Sequence, residues 1–384
     1  MAVPIKTEVL RAGLNYMRLI GLWGDKPRPV YRYFLFLAFE IAVMFLPKLA
    51  FGPGEEGFDS FACYLAELIF VGEIAVSIGL FNCRASSFEK LVTILMEVVE
   101  RLDKKPTADG LRESVRDTEK FGRKYALYVW GVLATYFTIP LVTSVAAFLL
   151  KSDDERGEFA RIMMMKFYWF DIRHNIVHYG LYWFLLYAAC VCSAYQSVIK
   201  VTVIYTIIQY GAILFEFISV KIKHLDDFAE GNERRQELRE IVQIHQMMLE
   251  YAVYLEKSVS FFLFNLISWC ILMMCLMMYY VSTSFGPNAL SVLVLIIYLL
   301  GEMGFFCFSG NKLSEKAAEV GNAMYDYAWY SEPVDMQKDM LLIIARSQRL
   351  TGITAAKFYI VDRERYGIVM QASYSYYLML KSTF

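Results

Sequence analysis

The chain has 384 residues, of which 57% are hydrophobic and 16% aromatic, above the roughly 45–50% apolar share of soluble domains. This composition excludes an ordinary soluble protein and gives an all-α polytopic membrane protein. A net charge of −1 argues against nucleic acid as a partner and moves the interest to how charge is divided between loops.

The seven cysteines are odd in number, and Cys190, Cys192, Cys270, Cys275 and Cys307 fall in apolar runs, so they read as small buried apolar residues rather than a disulfide framework. Residues 1–30 form a cytosolic amphipathic segment in which Val9, Leu10, Leu14, Met17 and Ile20 recur at helical spacing before Pro27 and Pro29. Lys6, Glu8, Arg11 and Arg18 interrupt any early apolar core, so no cleavable signal peptide is expected. The basic residues of this segment suit a membrane-surface location.

Spans are expected at Tyr31–Phe51 and Phe61–Cys83, joined by an acidic turn containing Gly52, Pro53, Gly54, Glu55, Glu56 and Asp59. Residues 84–124 carry ten basic side chains and belong inside. The third span is Tyr125–Leu150, and 151–174, with five basic and five acidic residues, fits the outside. Asn175–Ile222 is one apolar run of about 72 Å as a helix. The charged 223–258 region, with Arg234, Arg235 and Arg239, must be inside, so the run crosses once and overshoots. Lys200 would then lie near the inner interface and snorkel.

The fifth and sixth spans are Val259–Ser284 and Ala289–Gly310, with the turn Phe285-Gly286-Pro287-Asn288 between them. Asn311–Leu350 returns to charge, with helical-period apolar residues around Met340, Leu341 and Ile344, and Gly352 interrupts it before a final helix over 362–384. That helix has no charge from Tyr366 to Leu380, yet carries Gln371, Ser373, Ser375 and four tyrosines, which suits an inner helix facing water or protein. The count is seven transmembrane helices, N-terminus cytoplasmic and C-terminus extracellular. This orientation is opposite to that of G-protein-coupled receptors, and neither Asp-Arg-Tyr nor Asn-Pro-x-x-Tyr occurs where that class has them. The domain plan is 1–30, the six spans of 31–310, a cytosolic anchor 311–350 and the last helix 351–384.

The last quarter resembles the C-terminal signature of the insect odorant receptor family. The matching pieces are Ser314-Glu-Lys, Ala323-Met-Tyr325 and Trp329, then Leu341-Leu-Ile-Ile-Ala-Arg346-Ser347-Gln348, Thr354-Ala-Ala-Lys357-Phe358-Tyr359 and Ser373-Tyr-Ser-Tyr376-Tyr-Leu-Met-Leu380. The resemblance implies an odorant-gated, non-selective cation channel subunit in the plasma membrane of a sensory neuron dendrite. It would be a tuning subunit that assembles with co-receptor subunits in a tetramer, because 223–258 is short where the co-receptor has a long insertion. Its partners would be a small volatile, membrane lipid and permeant cations, with no nucleic acid and no cofactor.

The resemblance further implies a pocket in the outer halves of helices two to six. Topology then selects Tyr64, Leu68, Val71 and Gly72; Tyr136, Phe137 and Pro140; Tyr179, Tyr182, Trp183 and Leu186; and Met273, Met274, Met277 and Tyr280. Aromatic walls with thioethers suit a small, neutral, aromatic or heteroaromatic volatile. The family's gate falls on Met379 and Thr383, with Ser382 at its rim; helical spacing leads back through Ser375 or Tyr376 to Ala372 and Ile368. Threonine near the mouth weakens a dewetting gate, so partner subunits are expected to complete it.

Four acidic residues inside spans, Glu40, Glu67, Glu73 and Glu302, should face a partner or a hydrated crevice; Glu67 could also bind an amine ligand. Asp171, His174 and His178 read as interfacial polar residues rather than metal ligands, and no nucleophile-base arrangement points to an enzyme. The alternatives are a gustatory-type channel and, more remotely, a secondary transporter, which would show an internal repeat and interrupted helices.

Overall fold

The computed structural model describes residues 8–24, 28–53, 57–103, 108–150, 159–228, 231–284 and 287–383. Gly54, Glu55 and Glu56 of the first turn, Lys104 and Lys105, 151–158, Phe285-Gly286, Pro27 and the two chain ends lie outside them.

The described chain is a bundle of long helices: α1 Arg11–Leu19, α2 Tyr31–Glu40, α3 Leu46–Phe51, α4 Phe58–Cys83, α5 Ala85–Asp103, α6 Ala108–Leu150, α7 Ile176–Lys223, α8 Asn232–Thr283, α9 Pro287–Asp326, α10 Val334–Ser347 and α11 Arg363–Thr383. A two-stranded antiparallel hairpin, β1 Thr354–Ala355 with β2 Tyr359–Ile360, sits between α10 and α11. A π-helical turn, Ile41–Phe45, joins α2 to α3, so the first span is continuous over Tyr31–Phe51. Among the described residues, six helices are long and apolar enough to cross a membrane by length and composition: Tyr31–Phe51 and those containing the second to sixth expected spans.

The long fourth helix is as expected. α7 runs unbroken for 48 residues and is the axis of the bundle, almost wholly buried along its apolar part and packed chiefly on α9 and α6. Asn175 starts it by accepting from the backbone N–H groups of Val177 and His178, and Lys221 and Lys223 lie at its C-terminal end, where the dipole favours cations.

The charged regions read from sequence as loops are also helical. Residues 232–258 are the first half of α8, which reaches about 78 Å over its 52 residues. The basic 84–124 region contains α5, where Phe88, Leu91, Val92, Leu95, Val98, Val99 and Leu102 form an apolar stripe. This stripe is buried largely against α8. The short N-terminal helix spends its apolar face on the protein's own helices: Met17 is buried, Gly13 abuts Val203 of α7, and Ala12 N–H donates to Glu119 of α6 at 3.0 Å.

The hairpin fastens α11 to the bundle. Ala356 N–H reaches Ser260 Oγ at 2.9 Å, and Thr354 donates to Glu256 at 2.6 Å, both on α8. Gly310 of α9 lies so close to the Val361 carbonyl that a Cβ there would sit 2.3 Å from the oxygen. The side chains of Leu127, Val142, Val177 and Phe184 point outward and exposed, as lipid-facing residues do. All seven cysteines are free; five are buried, Cys192 is half-buried and Cys83 is exposed.

Candidate functional site

A cavity of about 60 Å³ lies inside the bundle. Its wall is supplied by Met44 of the π turn, Glu67, Phe70 and Ile74 of α4, Val129, Val132, Leu133 and Tyr136 of α6, Met163 of the 159–175 loop, Cys190, Ser193, Ala194 and Ser197 of α7, and Leu295 and Tyr298 of α9. Small residues on α7 make the space: Cys190, Ser193, Ala194 and Ser197 recur at i, i+3, i+4 and i+7, so one stripe of that helix carries little volume.

The 159–175 loop caps the cavity and is tied down from below. Lys48 pairs with Glu67 at 2.8 Å, and both are buried. Glu67 accepts from Met164 N–H at 2.9 Å, and Lys48 donates to the Met164 carbonyl at 3.3 Å. Tyr136 donates to the Ile162 carbonyl at 3.0 Å, and Met163 N–H donates to the Tyr182 hydroxyl at 3.0 Å. Glu67 therefore has its cation already, so the amine-binding role considered for it is filled by Lys48.

Of the fifteen residues selected for the pocket, Tyr136 lines this cavity. Tyr182 and Tyr179 hold the cap instead; Tyr179 donates to the Ala160 carbonyl at 3.1 Å. Tyr64 donates to the Lys48 carbonyl at 2.9 Å, keeping that lysine's helix in place. Trp183 stacks on Tyr187 with centroids 5.2 Å apart, and Phe137 meets both edge-on. Leu186, Pro140, Val71, Met273, Met274, Met277 and Tyr280 are buried, and Leu68 and Gly72 half-buried, away from this wall.

The difference has a simple geometry. On α7 the cavity lies about 11 residues, or three turns, further along the helix than the selected residues, on α6 about one and a half turns before them, and on α4 it faces a neighbouring stripe. The legible signal was the pair Ser193 and Ser197 with Cys190 and Ala194, polar and small residues at helical spacing within an otherwise bulky run.

The other acidic residues find protein partners. Glu40 accepts from Ser193 and from Gln196, each at 2.8 Å. Lys200 does not snorkel: its ammonium lies between Glu73, at 3.0 Å, and Glu302, at 2.6 Å, with each side chain 2% exposed. The bundle carries Lys200 inward because α4 and α9 bring a carboxylate to each side of it. Ser77 and Asn265 extend this network to α8.

Asp171 accepts from the backbone N–H groups of His174 and Arg173, which hold its carboxylate below the usual range. His178 instead packs its ring on Phe170, and no metal-binding cluster occurs among the described residues.

On α11, Val369 and Ser373 are buried, with Tyr366, Met370, Tyr377 and Leu380 packed beside them. Ile368, Ser375, Tyr376, Met379, Ser382 and Thr383 are exposed and Ala372 is half-buried. The residues selected for the pore thus occupy mainly the helix surface that the chain's own core leaves uncovered.

The fold is similar to that of the insect olfactory receptor OR5 from Machilis hrabei, solved in complex with eugenol. The TM-score is 0.78 over 99% of both chains at 13% identity. Odorant receptor 67c of Drosophila melanogaster is 21% identical over 77% of this chain and 74% of its own. Odorant receptor Or2 of Anopheles gambiae is 28% identical over 38% of this chain, which spans 39% of that relative's length. The odorant receptor coreceptor of Harpegnathos saltator matches more narrowly, at 29% identity over 24% of this chain and 19% of its own. The family model described as 7tm Odorant receptor matches residues 69–374, from within α4 to within α11, and on that extent the chain belongs to the odorant receptor family.

Proposed function

We propose that the chain is the ligand-binding subunit of an odorant-gated, non-selective cation channel, completed by odorant co-receptor subunits in a tetramer in the sensory neuron's plasma membrane. The observation that carries the reading is the largely apolar cavity in the bundle, at a place where a small volatile would touch α4, α6, α7 and α9 at once. Eugenol, the molecule bound to the similar receptor, has the aromatic character such a wall suits. The cavity is small for an odorant of ten or more heavy atoms, so binding favours a state in which α7 and α9 stand slightly apart. The hairpin and α8 carry that change to α11 through Ser260 and Glu256. In this reading α11 is the seventh crossing, with the N-terminus inside and the exposed face of α11 turned to the pore.

The test is whole-cell current from cells expressing this chain with and without the co-receptor, under blockade of G-protein signalling. Odour-evoked current is expected with the co-receptor and is expected to survive the block. Current that vanishes under the block would refute a channel, and robust current from this chain alone would refute the need for a co-receptor.

A further inference from the structure

The loop that caps the cavity turns one large side chain away from the protein. Trp169 is 88% exposed, an indole whose apolar body water solvates poorly. A tight turn puts it there. The Phe167 carbonyl accepts from Phe170 N–H at 3.1 Å, and between them Tyr168 has a φ of 51°, the left-handed region that a non-glycine residue enters at a cost. Tyr168 is held in that conformation from both ends: its hydroxyl donates to the Ala42 carbonyl, and its ring meets Phe51 edge-on with centroids 5.8 Å apart. With Phe167 buried and Tyr168 fixed, the side chain that follows faces out.

The turn stands at a boundary. Exposed Leu46 and Leu49 lead along the first span to Phe51, and exposed Val177, Leu181 and Phe184 form a second apolar stripe from the start of α7. Trp169 meets Phe51 edge-on at 5.7 Å, and Lys166 N–H donates to the Gly52 carbonyl at 3.3 Å, so both residues sit where the first span ends. Beyond them the chain turns polar, with Asp171, Arg173, His174 and Asn175. Lys166 is exposed, and among the described residues no carboxylate pairs with it; Asp171 is taken by the backbone N–H groups of Arg173 and His174. An open depression of about 430 Å³ runs along the turn, with Lys166, Trp169, Phe170 and Arg173 on its wall.

We propose that Lys166 and Trp169 are a contact site for an outer-leaflet phospholipid, with the indole at the level of the acyl esters and the ammonium on the headgroup phosphate. An aromatic ring with one polar edge suits the layer between hydrocarbon and water, and an unpaired lysine beside it supplies the charge that a phosphate needs. Lipid fits better than a protein partner because the apolar surface running on from Trp169 along the first span and α7 is itself lipid-facing. Met164, two residues before Lys166, is gripped from inside by Lys48 and Glu67. The lipid grips the same cap from outside. The proposal rests on the reading that the first span and α7 cross the membrane, and not on conduction.

The experiment places the full chain with its co-receptor in phosphatidylcholine nanodiscs and takes the difference in tryptophan emission between wild type and Trp169→Phe. That difference is expected to be quenched by lipid brominated near the headgroup, less by lipid brominated near the chain ends, and little by acrylamide in the water. Quenching by acrylamide with none by bromolipid would put the indole in water, and quenching by neither would put it under another protein; either result overturns the proposal. Lys166→Glu is expected to lose part of the headgroup-level quenching, and undiminished quenching would remove the phosphate contact. In nanodiscs, protection of amides 160–166 is expected to fall in the double variant Lys166→Glu with Trp169→Ala; unchanged protection would overturn the lipid's hold on the cap. Neither readout needs odour or current, so a failure here is distinguishable from a failure of the channel reading.

Discussion

Lys200 sits between Glu73 and Glu302 with its ammonium out of reach of water. A buried charge of this kind is held by its partners, and removing one partner is far more costly than replacing the group as a whole. Lys200→Met is expected to lower stability by about 3–5 kcal/mol, read as a drop in the melting temperature of the detergent-purified protein. The triple variant with Glu73→Gln and Glu302→Gln is expected to recover most of that loss. If the single variant melts like the wild type, the triad contributes nothing at this site. That these acidic residues need partners was legible from their places in apolar runs. Which partner each takes was not, because Lys200 meets carboxylates 127 residues before it and on a helix a hundred residues after it. The same holds for the cavity: its small and polar stripe on α7 is written in the sequence, but its depth is set by how far the cap reaches down, through Met163 and its tie to Tyr182.

Between α9 and α10, Glu332 accepts from Arg234 of α8 at 2.7 Å and from Tyr327 at 2.6 Å. Burial alone would raise its pKa, but the Tyr327 and Arg234 hydrogen bonds win and hold it below the ordinary glutamate value. The folded form therefore binds this proton less readily than the unfolded chain. The resulting stability is present above about pH 4.5 and fades as pH falls through the folded value. The protection of amides 327–337, relative to their intrinsic exchange rates at each pH, is expected to fall selectively on acidification, and Glu332→Gln to flatten that pH dependence. Exchange equally steep in the variant would assign it to other groups. A second contact tests the hairpin: Gly310→Ala places a methyl against the Val361 carbonyl, so α9 and the hairpin must separate. Loss of odour-evoked current with surface expression retained is the expected outcome; wild-type current would show that the hairpin's seat on α9 does not matter. Helix existence and period were readable here, while the boundary between loop and helix was not. Charged α5 and the first half of α8 are helices because their apolar stripes cover each other.

At the scale of the whole molecule, α11 is one-sided: Val369 and Ser373 face the bundle, while Ile368, Ser375, Met379 and Thr383 are bare. A chain that leaves such a surface open on its last helix suits an assembly in which several copies share an axis. Met379→Glu and Thr383→Glu are expected to change ion preference or conductance in single-channel records while leaving odorant potency within about threefold, since charge rings at a pore mouth act on ions rather than on a distant cavity. A change in potency alone would turn a different face of α11 to the pore. The topology that places these residues came from loop charge and the helix period; their common exposure depends on which stripe the bundle covers.

The unbroken course of α7 has a mechanical consequence. From Ser193 at the cavity to Lys223 at its far end the helix runs about 45 Å without a break. A rigid rod of that reach multiplies angle into travel: one degree of tilt about the cavity displaces the distal tip by nearly an ångström, with roughly 1.5 Å of rise per residue as the only input. On the proposed function, a guest that wedges one wall aside by a fraction of a bond length is geared, as by an oar in its rowlock, to a displacement of the other end.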